Sequence, residues 1–270
     1  MNLALPLDPL FAGPFLTGLM FAMLLPLLGC YLRLRGEWLA ALAFAQTAAA
    51  GSLLAMLVGL PMVFGGLAAA SLAGSLKHAF DGSSQTTQGA AYGLLLLLGW
   101  AASVLMVSNL PLAERLGQAL FDGQLYFTDH THLISAAALA LASLVVMRRL
   151  SQRLLLAHFF PDFLRARGLS GRGAQLGFDL LVAGALALAT MSLGVMGAFA
   201  LIFVPPLVAF GWAGSWRHCL LLATATGISI YVLAFALALA LDQPFSPLCG
   251  LLLVIFALLS AVLRRIPEGR

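Results

Sequence analysis

Charge is what this sequence has least of. Only 9% of its 270 residues are Asp, Glu, Lys or Arg, where a soluble globular domain carries about a quarter. That shortage excludes a water-soluble fold, and no nucleic acid is expected as a partner. Cysteine is also scarce. Cys30, Cys219 and Cys249 stand alone, in or beside apolar runs. No disulfide framework and no C-x-x-C zinc site can be built from them, so they read as small buried hydrophobes. A phosphate loop is missing too: "GSSQTTQG" at 82–89 is polar but lacks the Lys of G-x-x-x-x-G-K-[ST]. If the chain belongs to a pump, ATP is used by a separate nucleotide-binding subunit, and this chain is expected to be its membrane subunit, not an enzyme, with no cofactor of its own. The opening "MNLALPLDPLF" has no basic residue ahead of its first apolar run, so no cleavable signal peptide is expected.

What is abundant is apolar sequence. The chain is 62% hydrophobic, with a mean hydropathy of +1.02. Apolar runs near twenty residues recur along its length, enough for helices that cross a bilayer about 30 Å thick. The reading is an all-α, polytopic transmembrane bundle forming one domain, 1–270. About nine spans are expected, within a range of eight to ten: 14–32, 39–60, 62–76, 90–108, 133–147, 176–193, 196–214, 218–241 and 245–263. Spans 62–76 and 133–147 are short. Only "GV" separates the sixth from the seventh, where Gly194 and Gly197 suggest a tight turn.

The arginines orient the bundle. With the N-terminus outside, the inside loops hold Arg33, Arg35, Lys77, Arg148, Arg149, Arg153, Arg165, Arg167, Arg172, Arg217, Arg264, Arg265 and Arg270, and the outside loops hold only Arg115. Basic residues concentrate on the cytoplasmic side of membrane proteins, so the N-terminus is expected outside and the C-terminus inside.

The longest inside segment contains "RRLSQRLLLAHFFPDFLRARGLSG" (148–171). Its first half either continues the fifth helix or lies along the lipid headgroups, its arginines snorkelling. Pro161 disfavours helix at the residue before it. "PDFLRARG" then reads as a short second helix, with Pro161 in the first turn, Asp162 at the positive N-terminus and Gly168 as the stop. A plain basic loop is the alternative.

No span holds a charge near its middle; Glu37, Asp179 and Asp242 fall at helix ends. An ion-coupled carrier places an ionisable group within the membrane, so its absence points to a path driven from outside the membrane domain. Asp129, His130 and His132 ("DHTH") are weak candidate metal ligands before the fifth span, because i and i+2 histidines share an ion only on a strand or loop. Gly66, Ala70 and Gly74 form a small-residue stripe that suits either an internal contact or a homodimer. Pro205 and Pro206 lie within the seventh span. Two missing donors are expected to break the helix there, and a broken helix survives only beside protein or a water-filled path.

These motifs together resemble the permease subunits of zinc, manganese and iron ABC importers, the metal-type ABC permease family. The similarity runs from about Pro26 to Leu263. "FPDFLRARGLSGRG" resembles that family's cytoplasmic coupling segment, and "GVMGAFALIFVPPLVAF" its next helix pair. "PLLGCYLRLRGEWLAALAFAQTAAAG" resembles the first loop and second helix, with Pro26, Gly29 and Arg35 in register. "FDGQLYFT" matches the segment before the fifth helix. One departure stands out. The family's second helix usually carries an Asp and, four residues later, a His; here those positions are Ala41 and Ala45, leaving Gln46 and Thr47 as the polar residues of that segment.

The resemblance implies a bacterial inner-membrane permease working by alternating access. Its implied partners are a separate ABC ATPase, an extracytoplasmic metal-binding protein, membrane lipid and a second copy of the permease. The implied cargo is a divalent metal, zinc first and manganese or iron next. The alternatives are siderophore-linked iron, or a membrane scaffold without a transport cycle. Residues 158–172, with Pro161, Asp162, Phe163, Arg165 and Gly168, are the implied contact with the ATPase. Gln46, Thr47, Pro205 and Pro206 are assigned to the translocation path.

Overall fold

The structure, a computed structural model, describes residues 9–77, 85–109, 117, 120, 121, 123, 125–128, 130–160, 162 and 172–265. Among these residues there are nine long helices and no strand: α1 (Pro9–Arg35), α2 (Trp38–Leu57), α3 (Met62–Lys77), α4 (Gln85–Asn109), α5 (His130–Phe159), α6 (Arg172–Leu193), α7 (Val195–Trp212), α8 (Trp216–Leu241) and α9 (Phe245–Arg265). A single 3₁₀ turn, Leu125–Phe127, precedes α5. Eight of the nine helices are long and apolar enough to cross a membrane; α3, apolar from Met62 to Leu76, is shorter. At 1.5 Å per residue its sixteen residues span about 24 Å.

The sequence sets where the helices stop. α1 ends at Gly36, whose φ of 73° puts it in the left-handed region. The Gly36 and Glu37 amides then close back on the Arg33 and Leu32 carbonyls. α2 ends the same way at Gly59, with Leu60 N–H donating to Ala55 O. Both are glycine-terminated caps that satisfy the last free carbonyls. Between α6 and α7 one residue suffices, Gly194, at φ 79° and ψ 162°, a conformation essentially closed to other residues. Gly197, by contrast, lies inside α7, where a Cβ would meet Ser246 Oγ of α9.

Two expectations change. The fifth span is not short, because "RRLSQRLLLAHF" continues α5 to thirty residues, about 45 Å. And Pro205 and Pro206 do not break α7, which runs unbroken from Val195 to Trp212. Lacking its N–H, Pro206 leaves the carbonyl four residues back, Ile202 O, without a helical donor. Gly29 of α1 packs against that oxygen and the Pro206 ring so closely that a Cβ there would collide with both. The same arrangement recurs between α1 and α8. Pro26 frees Ala22 O, and Gly227 sits against that oxygen and the Pro26 ring. In each pair a glycine of the neighbouring helix lies against the freed carbonyl, with no room for a side chain between them.

The helices that thread the centre are α1, α2 and α6, whose most apolar stretches are 67%, 72% and 61% buried. The corresponding stretches of α4, α5 and α9 are only 17% buried and form the perimeter. Leu94, Leu98, Ile134, Leu144, Leu258 and Val262 project outward from these three, as a lipid-facing surface requires. The small-residue stripe of α3 makes internal contacts. A Cβ on Gly65 would strike Gly51 O, one on Gly66 would meet Ser52 Oγ, Ala70 is fully buried, and Gly74 lies against Asp179 and Ala183 of α6.

Candidate functional site

One end of the bundle gathers the basic residues. Arg33 lies 5.3 Å from the Phe210 ring near the end of α7. Tyr31 meets Trp216 at the start of α8 edge-on at 5.0 Å. At this end, two helices bracket the proposed coupling segment: α5 leads into it and α6 leads out. Both are fastened to α1. Tyr31 Oη and Ser151 Oγ of α5 are 2.7 Å apart in a hydrogen bond. One turn later on α1, Arg35 donates to both carboxylate oxygens of Asp179 on α6, at 2.9 and 3.4 Å, and reaches Glu37 Oε2 at 2.8 Å. The spacing of four residues puts Tyr31 and Arg35 on the same face.

Asp179 is 1% exposed and is the only buried charged side chain among the described residues. Its position, the eighth residue of α6, lies deeper than a helix end. The Arg35 guanidinium also covers the Phe178 ring at 5.4 Å. A buried carboxylate is tolerated only when paired and hydrogen-bonded, and the planar guanidinium supplies both at once. Asp179 is one of ten acidic residues in the chain. The sequence marks Arg35 by its family match and Asp179 as one of few acids, but nothing in it pairs the two; Tyr31 and Ser151 carry no signal.

The coupling segment itself is described only in part. Phe159 and Phe160 are 58% and 62% exposed at the end of α5, and Phe160 N–H still bonds Leu156 O at 2.9 Å. Asp162 is helical and exposed. Pro161, Phe163, Arg165 and Gly168 lie outside the described residues.

The proposed path residues fall in two places. Gln46 and Thr47 are buried in the first half of α2. Gly99 of α4 packs on their backbone, 2.7 Å separating a would-be Cβ from Thr47 N. Thr47 spends its hydroxyl on Ala43 O and Phe44 O of its own helix. Gln46 Oε1 is buried without a hydrogen-bond partner, as are Ser52 Oγ, Thr190 Oγ1 and Ser246 Oγ. Pro205 and Pro206 are buried in α7, with the Pro206 ring against α1. Ala41 and Ala45 are both buried among other small or apolar side chains, so the positions of the expected Asp and His are closed by packing.

At the opposite end, Gly123 (φ 84°) tucks against Leu193 and Gly194, and Tyr126 packs between Phe11 and Phe235. Burial pushes the Tyr126 phenol up to about 12. Asp129 and the His130 side chain lie outside the described residues. His130 and His132 both belong to α5, and positions two apart on a helix sit about 200° around its axis. The loop or strand that a shared ion needs is therefore not present. Among the described residues, no three His, Cys, Asp or Glu side chains gather as a metal site.

A model of the ABC 3 transport family matches residues 8–264. The chain belongs to this family. It is accordingly a membrane permease of a metal-type ABC importer, embedded in the bacterial inner membrane and not itself catalytic. A "Probable iron transport system membrane protein" of Haemophilus influenzae is 27% identical over 233 residues, covering 84% of this chain and 83% of that one. The "Chelated iron transport system membrane protein YfeD" of Yersinia pestis is 24% identical over 265 residues, covering 95% and 88%. In fold, the ABC 3 permease superposes on a chain of PsaBC from Streptococcus pneumoniae, in complex with Fab, with a TM-score of 0.82 at 19% identity, covering 95% of this chain and 92% of the other.

Proposed function

We propose that this single-domain permease (1–270) carries iron, free or chelated, and is driven by a separate ATPase that grips residues 158–172. The observation behind the coupling role is the double fastening of α1. Tyr31–Ser151 and Arg35–Asp179 tie one helix to both flanks of the segment. A push delivered there is borne by α5 and α6 together and passed to α1, one of the central helices. Phe159 and Phe160, aromatic and exposed beside Asp162, suit a protein-facing anchor. The basic end faces the cytoplasm in this reading, two permease copies form the path, and an extracytoplasmic binding protein delivers cargo at the other end.

Iron replaces zinc as the favoured cargo because both curated relatives carry iron in their names. Uptake of ⁵⁵Fe, ⁵⁴Mn and ⁶⁵Zn into cells expressing the complete transporter tests this. Iron uptake dependent on the permease is expected, with a tenfold excess of zinc competing weakly. Zinc uptake that iron does not inhibit would assign the cargo to zinc.

A further inference from the structure

The basic end carries a second feature, on the far side of α1 from the Asp179 pair. Arg33, near the end of α1, and Arg264, in the last turn of α9, flank a cleft of about 480 Å³ whose other walls are Leu207, Phe210, Trp212 and Ala257. Among the described residues the ion pairs go to Arg35, and neither Arg33 nor Arg264 meets a carboxylate. The Phe210 ring holds the Arg33 guanidinium by its face, which leaves its N–H edge free to donate. Gly211 gives Arg264 its place: a Cβ there would lie 3.2 Å from Nη1. Trp212 Nε1 donates to Ser260 Oγ at 2.6 Å and ties α7 to α9 along the cleft. Leu207, Leu258 and Val262 on the same two helices are exposed to the bilayer side.

Two unanswered guanidinium groups therefore stand over apolar walls that continue into a lipid-facing surface. That is the chemistry of a phospholipid, with phosphate above and acyl chain below. We infer that this cleft binds the headgroup phosphate of an anionic phospholipid, its oxygens accepting from Arg33 and Arg264. The helix ends nearby carry only partial negative charge, which favours the arginines' presence and is smaller than their two formal charges. A tryptophan at the mouth suits the depth of the headgroups, and basic pockets between spans are known lipid sites. The bound phosphate bridges α1 to α9 around α7. The inference does not depend on the cargo.

Native mass spectrometry of the detergent-purified permease tests it, with dioleoyl phosphatidylglycerol and dioleoyl phosphatidylcholine as the added lipids. The wild type is expected to prefer the anionic lipid by about tenfold, the order set by two surface arginines. R33Q/R264Q should abolish the preference by removing charge, and G211L by filling the cleft. R217Q, an exposed arginine at the same end but outside the cleft, should retain it. Inorganic phosphate at millimolar concentration should not displace the lipid. Absence of a preference in the wild type, or its retention in either the double variant or G211L, overturns the inference. Displacement by inorganic phosphate overturns the lipid assignment in favour of a free-phosphate site.

Discussion

Arg35 of α1 holds Asp179 of α6 by two hydrogen bonds across 144 residues of sequence. The carboxylate has almost no access to water, so its charge relies strongly on the Arg35 guanidinium. Removing Arg35 takes the paired cation from a buried carboxylate, at a cost of about 3–5 kcal/mol, whereas removing Asp179 leaves Arg35 its contact with Glu37 and should cost less. R35A should lower the thermal midpoint in detergent substantially, and D179A by less. R35A/D179A should lose less than the sum of the two, the mark of a direct pair. Additive losses would mean that the residues act separately.

Gly29 and Gly227 are held to glycine by the carbonyls that Pro206 and Pro26 set free. G29A and G227A should therefore destabilise the bundle by about 1–3 kcal/mol, as overpacking of a tight interior does. Gly250 of α9 has open space around its Cβ position. G250A should be neutral or stabilising by about 0.5–1 kcal/mol, because alanine loses less entropy in a helix. Midpoints measured on the three variants under one condition check the contrast; similar losses in all three would refute it.

Much of this fold was legible in the sequence because its signals are of long range along the chain. Apolar runs placed nine helices in order, and Gly194 marked the tight turn between the sixth and seventh. The length of α5 was less legible because "RRLSQRLLLAHF" satisfies both a helix and a headgroup-lying segment equally well. The proline pair misled because the α7 ladder continues past two missing donors, and the close packing of Gly29 on Ile202 O, 177 positions from Pro206, is not visible in local sequence. The Arg35–Asp179 pair was hidden for the same reason: each residue alone looks like an end charge. The closing of Ala41 and Ala45 by packing could be read only as a departure from the family pattern.

Gln46 presents a buried, unpartnered oxygen on a central helix. Burying a polar group without a hydrogen bond costs about 1–3 kcal/mol, so Q46L should leave stability unchanged or raise it. If Gln46 lines the path, the same change should cut metal uptake several-fold. Loss of stability with normal uptake would make it a structural residue.

The arginine distribution predicts that the C-terminus lies in the cytoplasm. A reporter active only there, fused after Arg270, should give activity, and one fused after Asp242 should give none. The reverse pattern would invert the bundle.

The coupling role of residues 158–172 is tested most directly by co-purification. The permease is expressed with its ATPase, one subunit is captured, and the other is quantified alongside transport-coupled ATP hydrolysis. D162R, F163D and G168P should insert normally, lose the ATPase from the captured complex and lose coupled hydrolysis. Wild-type association and wild-type hydrolysis in all three would show that the segment is an ordinary basic loop and that the drive enters the membrane domain elsewhere.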